Sequence, residues 1–128
     1  MRVLIVNDDD LMLDACATAL SERGHETFST NGIGALKALA AERWDSLVVD
    51  ILMPDVDGLE VIGAATRVAH PPRILAMSGG GQLPAAYCLI LANGLGAEES
   101  FRKPIDFPAL ARSIEAPGSQ PISKDGGA

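Results

Sequence analysis

Short apolar runs alternate along the chain with longer segments in which apolar residues recur at helical spacing. The runs are rich in β-branched residues and lie at residues 3–6, 25–29, 46–50, 74–77 and around Phe101. Strands that alternate with helices are typical of βα units packed around a parallel sheet. Five such units can be counted, so the pattern predicts an α/β fold with a central five-stranded sheet.

A helix is predicted after each strand. The first helix carries apolar residues in pairs at a spacing of four, which we expect to form its core face: Leu11/Met12, Ala15/Cys16 and Ala19/Leu20. Gly24 follows as its predicted C-terminal cap. The later helices are predicted over 33–43, 59–68, 84–92 and 107–114. From residue 116 the sequence is rich in Pro, Gly and Ser, so we expect a folded domain over 1–115 and a flexible tail over 116–128.

Composition narrows the classes of partner. The 128 residues suit one domain, and their net charge of -7 comes without a cluster of lysines and arginines. We therefore expect no direct binding to nucleic acid or to an anionic membrane. No apolar run is long enough to cross a bilayer, and the first strand leads into three aspartates instead of a signal-peptide cleavage site. These features predict a cytoplasmic protein.

The two cysteines, Cys16 and Cys88, lie in helical apolar patterns without CxxC spacing. This arrangement favours two buried free thiols over a zinc site or a disulfide. The histidines His25 and His70 lie far apart on predicted edge or loop segments, and we expect both at the surface.

Polar residues follow the predicted strands at the points where the strands end. The first strand is followed by Asn7 and then Asp8, Asp9 and Asp10; the later positions are Asp50, Ser78 and Lys103. Because parallel strands point the same way, these residues should gather at one edge of the sheet. Clustered carboxylates favour a hard cation, so Asp8 and Asp50 are predicted to bind Mg²⁺. Asp50 could act as a nucleophile towards phosphorus, with Ser78 and Lys103 holding phosphoryl oxygens.

These positions fall in four segments: VLIVNDDD, LVVDILMPDVDGLEV, ILAMSG and GAEESFRKP. Over residues 2–115 the chain resembles the receiver domains of two-component response regulators, which accept a phosphoryl group on an aspartate. The resemblance implies a flavodoxin-like (βα)5 three-layer sandwich with strand order 2-1-3-4-5 and a cis peptide before Pro104. The roles that it implies are phosphoacceptor for Asp50, Mg²⁺ ligands for Asp8 and the Leu52 carbonyl, switch hydroxyl for Ser78, phosphate-sensing cation for Lys103, and space for a phosphodonor at Gly79.

Two positions depart from the usual receiver pattern. Asn7 stands where receivers commonly carry the first member of an acidic pair, so the site has one negative charge fewer. Asn7 could still orient a metal-bound water, but we expect weaker Mg²⁺ binding than in a receiver with both acids. Ser100 stands at the output-strand switch position, where many receivers place an aromatic ring. Phe101 should point to the opposite face of its strand and belong to the core.

The leading interpretation is a stand-alone response regulator that is a switch and not an enzyme. It would take a phosphoryl group from a sensor histidine kinase or a histidine phosphotransfer protein. It would then signal by binding a downstream protein, by onward phosphotransfer or as a homodimer. One alternative is a pseudo-receiver that binds partners without phosphorylation. Another is a small phosphatase of the haloacid dehalogenase type, in which Asp8 of a DxD pair with Asp10 would be the nucleophile.

Overall fold

A computed structural model of the protein describes residues 1–51, 53, 56–78, 90 and 93–116. Its strands are β1 Arg2–Val6, β2 Glu26–Thr30, β3 Ser46–Asp50, β4 Arg73–Ser78 and β5 Glu99–Arg102. Its helices with defined bounds are α1 Asp10–Ser21, α2 Gly32–Ala41, α3 Gly58–Thr66 and α4 Phe107–Glu115. The predicted helix over 84–92 and the predicted tail fall almost entirely outside the described residues.

The strands form one parallel sheet of order β2-β1-β3-β4-β5. The first strand pairs with both β2 and β3, and β4 pairs with β3 and β5. The fold is a flavodoxin-like α/β fold, which confirms the predicted class and strand order. The central strand β3 is buried along its whole length, so both of its faces are covered by apolar residues.

Alternation along the strands divides the core into two layers. Leu4 and Val6 of β1 face the layer that contains α2 and α3, whereas Val3 and Ile5 face the layer that contains α1 and α4. The same alternation in β3 assigns Val49 to the first layer and its neighbour Val48 to the second. Each helix pair therefore covers one face of the sheet, as the three-layer prediction requires.

The core face of the first helix differs from the prediction. Leu11 is 80% exposed, and the buried residues of α1 are Leu13, Cys16 and Leu20. Apolar residues cover so much of this helix that their spacing alone does not define which side faces the sheet. The helix ends at Ser21, and Gly24 lies beyond it with a φ of +91°, in the left-handed region that favours glycine.

Candidate functional site

The candidate site lies at the carboxyl edge of the sheet. Asp50 is the last residue of β3 and is only 4% exposed. Its Oδ2 accepts a hydrogen bond from the Lys103 ammonium, with an Nζ–Oδ2 distance of 3.2 Å. The two residues come from separate strand ends, as predicted. A buried carboxylate beside an ammonium group is a charge arrangement that can receive and hold a phosphoryl group.

Lys103 is positioned by the end of β5. Ser78 of β4 pairs with Arg102, and the backbone N–H of Lys103 donates to the Ser78 carbonyl at 2.8 Å. The peptide between Lys103 and Pro104 is cis, as the resemblance implies. These contacts place the lysine side chain beyond β4, where it reaches Asp50 on the next strand.

Ser78 ends β4, directly after Met77, which pairs with Asp50. The Ser78 side chain is buried, and its Oγ has no hydrogen-bond partner among the described residues. Buried hydroxyls nearly always have a partner, so a hydroxyl at a strand end that lacks one among the described residues is unusual. The hydroxyl is available to a group that enters the site.

The aspartates after β1 divide into different roles. Asp9 is the N-cap of α1, and its Oδ1 accepts the backbone N–H of Leu11 at 3.0 Å. Asp10 lies in the first turn of the helix, where a carboxylate is favourable towards the helix dipole. Asp8 is exposed at the rim and precedes the cap. The capping aspartate is therefore Asp9, and Asp8 takes no part in capping the helix.

Asn7 is fully buried at the end of β1. Its Oδ1 accepts the backbone N–H of Asp9 at 3.0 Å. Its Nδ2 has no hydrogen-bond partner within the described part of the chain. The sequence shows that residue 7 is an asparagine. It does not show which atom of the side-chain amide is hydrogen-bonded.

The donors of this rim fit a magnesium ion that keeps most of its water ligands. Asp8 lies two residues beyond the end of β1, and Asp50 ends the neighbouring strand β3. One or two carboxylates are the usual protein contribution to a Mg²⁺ site. No group of three His, Cys, Asp or Glu side chains that could hold a metal occurs in the ranges that the structure describes. Leu52, whose carbonyl was a predicted ligand, and Gly79, the predicted space for a phosphodonor, lie outside those ranges.

Gly58 is a site residue that the sequence reasoning did not single out. It begins α3, and its N–H donates to the Ile51 carbonyl at 2.7 Å. A Cβ at this position would lie 2.2 Å from the Asp50 carbonyl oxygen and 2.5 Å from the Ile51 Cα. The helix can approach the strand end this closely only because residue 58 has no side chain. An Asp-Gly dipeptide is typical of a turn, and it does not by itself indicate this close contact.

Ser100, the predicted output-strand switch position, and its neighbour Phe101 make different contacts. The Ser100 Oγ donates to Asn93 Oδ1 at 3.0 Å, and Phe101 packs against the core layer of α1 and α4, as predicted. Cys16 is buried, as predicted, and burial raises the pKa of its thiol to about 11. Cys88 lies outside the described residues.

The expectation that His25 is a surface residue is wrong. Its side chain is only 7% exposed, and its Nε2 lies 2.7 Å from Glu115 Oε2 at the end of α4. Glu115 also pairs with Arg23, through Nε–Oε2 and Nη2–Oε1 distances of 2.9 and 2.6 Å. These contacts join residues about ninety positions apart at the edge of the sheet opposite Asp50.

Comparison with known proteins gives consistent matches. The protein-family model for the response regulator receiver domain matches residues 3–115 of this chain. Photosynthetic apparatus regulatory protein RegA of Rhodobacter capsulatus is 30% identical over 117 residues, which cover 91% of this chain and 62% of RegA. DNA-binding transcriptional regulator NtrC of Azospirillum brasilense is 30% identical over 114 residues, which cover 88% of this chain and 23% of NtrC. The chain thus spans less than two thirds of either regulator.

The crystal structure of a CheY-like response regulator receiver domain protein from Methanospirillum hungatei JF-1 superimposes with a TM-score of 0.79. It is 25% identical in sequence, and the match covers 98% of each chain. No helix among the described residues has both the length and the apolar character needed to span a membrane. The sheet order, the Asp50–Lys103 pair and the family match over residues 3–115 agree, and the chain belongs to the response regulator receiver domain family.

Proposed function

We propose that the protein is a phosphorylation-controlled switch in which Asp50 accepts a phosphoryl group from a histidine kinase or a histidine phosphotransfer protein. The observation that carries this proposal is the buried Asp50 carboxylate with the Lys103 ammonium 3.2 Å away. An isolated buried carboxylate would be costly, whereas this pair suits a site that later carries additional negative charge.

In the proposed reaction, an Asp50 carboxylate oxygen attacks phosphorus, and its electron pair forms the new O–P bond. The P–N bond of a phosphohistidine breaks at the same centre. The electron pair of the P–N bond returns to the imidazole nitrogen. The released imidazole then takes a proton from solvent. The product is an acyl phosphate on Asp50. Lys103 would hold one phosphoryl oxygen through its ammonium group. Ser78 would donate its hydroxyl, which has no partner among the described residues, to another.

Magnesium is the proposed cofactor, and when bound it would neutralise part of the phosphoryl charge. Asp8 and Asp50 would hold it, together with the Leu52 carbonyl, which stays a prediction from the sequence. Magnesium binding would thus link the exposed carboxylate at the rim to the buried acceptor.

The signalling step would be binding to a downstream protein or onward phosphotransfer, and not turnover of an external substrate. The domain itself would occupy residues 1–115. The net charge of -7 supports a role without direct nucleic-acid contact for this part of the molecule. We place the protein in the cytoplasm, where histidine kinases draw on ATP.

Mass spectrometry of the intact protein tests the proposal. Wild type, Asp50→Asn and Asp8→Asn are incubated with Mg²⁺ and acetyl phosphate, and the mass increase from one phosphoryl group is followed. We expect labelling of wild type, slower labelling of Asp8→Asn and none of Asp50→Asn. Labelling that survives Asp50→Asn but not Asp8→Asn would indicate the phosphatase-type alternative. An unlabelled wild type would indicate a pseudo-receiver.

A further inference from the structure

The orientation of the Asn7 side-chain amide is fixed by its neighbours. A backbone N–H can only donate, so the amide atom that lies 3.0 Å from the Asp9 nitrogen must be the carbonyl oxygen. Rotating the amide would place two donors against each other. The NH₂ group therefore occupies the other arm of the side chain.

That NH₂ group is buried and has no hydrogen-bond partner in the described part of the chain. An amide nitrogen of this kind donates hydrogen bonds and does not bind a cation. The group is thus suited to an acceptor that enters the site, such as an anion.

The strand register places this donor beside Asp50. Val6 pairs with Val49, so the next residues along the two parallel strands are Asn7 and Asp50. Side chains alternate along strands, and the residues before Val6 and Val49, Ile5 and Val48, both face the layer of α1 and α4. The side chains of Asn7 and Asp50 therefore leave their strands towards the same side of the sheet.

A second buried donor belongs to β4, the strand on the other side of β3. Ser78 follows Met77, the β4 partner of Asp50, and its buried hydroxyl also has no partner among the described residues. The strands on both sides of β3 thus each end at a residue with such a donor, Asn7 on the β1 side and Ser78 on the β4 side. Lys103 supplies a third donor at 3.2 Å. Donors at three strand ends are a set that could hold the several oxygens of a phosphoryl group.

We propose that Asn7 donates its side-chain N–H to an oxygen of the phosphoryl group on Asp50 and is not a magnesium ligand. This inference rests on the proposed function, because it needs Asp50 to carry that group. Asn7 takes part in no bond making or breaking and only holds one oxygen. Receivers commonly carry an acid at this position. In this protein the residue there would bind the phosphoryl group and not Mg²⁺.

Calorimetry on the full chain separates the two roles. Mg²⁺ alone is titrated into each protein, and beryllium fluoride, which mimics a phosphoryl group on a carboxylate, is then titrated at saturating Mg²⁺. The variants are Asn7→Ala, Asn7→Leu, which retains most of the volume, and Asp50→Asn. The matched control is Asn31→Ala, since Asn31 also accepts a backbone N–H, from Gly34 at 2.8 Å, but is exposed.

We expect Asn7→Ala and Asn7→Leu to keep the Mg²⁺ dissociation constant within about twofold and to weaken beryllium fluoride binding by about tenfold or more, the effect of losing one hydrogen bond to a charged group. Asn31→Ala should bind both ligands as wild type does. Weaker Mg²⁺ binding with unchanged beryllium fluoride binding in the Asn7 variants would overturn the inference. Unchanged binding of both ligands would overturn it too.

The same titrations keep this inference separate from the proposed function. Beryllium fluoride binding by wild type that is lost in Asp50→Asn supports the proposed function, whatever the Asn7 variants do. If wild type binds no beryllium fluoride, or if Asp50→Asn binds it equally well, both proposals are wrong.

Discussion

The Lys103 ammonium lies 3.2 Å from the Asp50 carboxylate, although the two residues are 53 positions apart and their strands are separated by β4. The contact therefore forms across the end of β4. The last residue of that strand, Ser78, accepts a hydrogen bond from the Lys103 backbone N–H through its carbonyl. A strongly buried carboxylate is thereby paired with a half-buried cation. The proposed chemistry depends on this pair more than on any other contact.

Removing the Lys103 charge should slow phosphorylation. We expect Lys103→Met to take up a phosphoryl group from acetyl phosphate about a hundredfold more slowly, since loss of one electrostatic donor at a reacting oxygen typically costs this much. The measurement is the rate of mass increase of the intact protein. Lys37→Met is the control, because Lys37 is exposed on α2. Equal rates for Lys103→Met and wild type would show that the ammonium takes no part in transfer.

Gly58 should tolerate no side chain. In Gly58→Ala the Cβ would meet the backbone of Asp50 and Ile51, so we expect a loss of about 2 kcal/mol or more in the free energy of unfolding. Urea unfolding followed by the fluorescence of Trp44, the single tryptophan, measures this loss.

Gly63→Ala is the matched control for Gly58→Ala, because both glycines lie in α3. The nearest atom to a Cβ at Gly63 is an Arg67 guanidinium nitrogen at 3.4 Å. Alanine is the better helix former, so this variant should be unchanged or more stable by about 0.5–1 kcal/mol. Equal effects of the two substitutions would contradict the packing of α3 against the strand end.

The sequence was sufficient to predict the strands and the residues at their ends. Buried parallel strands give nearly continuous apolar runs, and the residue after each run is then at the carboxyl edge. That reasoning placed Asp50, Ser78 and Lys103 at strand ends on one edge of the sheet, where Lys103 contacts Asp50, and the resemblance supplied the strand order. The core face of α1 was wrong at Leu11, because an apolar-rich helix gives weak contrast between its two sides.

The remaining features depend on contacts that sequence spacing does not show. The His25 side chain is only 7% exposed, and its contact with Glu115 at the end of α4 joins distant segments of the chain. Asn7 Oδ1 accepts the Asp9 N–H, and Nδ2 has no partner among the residues that the structure describes; a sequence does not show this division. The need for glycine at position 58 follows from the distance between a helix and a strand end. Each of these requires atomic positions.

The pairing of Glu115 should contribute stability that is lost in acid. Its hydrogen bond with Arg23, and then that with His25, lowers the pKa of this carboxyl from its ordinary value of 4.5 to about 2. In that range the unfolded chain binds more protons than the folded one, so this contribution is complete above pH 4.5 and disappears as the pH falls to about 2.

Urea midpoints measured across that range test the Glu115 pairing. Glu115→Gln should reduce the fall in stability between pH 4.5 and about 2 relative to wild type. Arg23→Gln should reduce it less, because His25 still pairs with Glu115. The double variant should add little to Glu115→Gln, because that substitution already removes the interaction with Arg23. Fully additive effects would show that the two side chains contribute independently.

Cys16 should be chemically inert in the folded protein. Burial raises its pKa to about 11, so at neutral pH almost none of the reactive thiolate is present. Native protein is treated with iodoacetamide in the presence of glutathione as an internal reference, and the peptide containing Cys16 is examined by mass spectrometry. We expect no modification until urea is added. Native labelling as fast as that of glutathione would contradict the burial of this thiol.

The most direct measurement of the central claim is the chemical identity of residue 50 after phosphorylation and reduction. Borohydride converts an aspartyl acyl phosphate to homoserine, whereas a free aspartate does not react. After treatment with acetyl phosphate and Mg²⁺, then borohydride and proteolysis, we predict homoserine at position 50 and unchanged aspartate at position 8. Homoserine at position 8, or aspartate at both positions in protein that carries the phosphoryl group, would contradict the assignment of Asp50 as the acceptor.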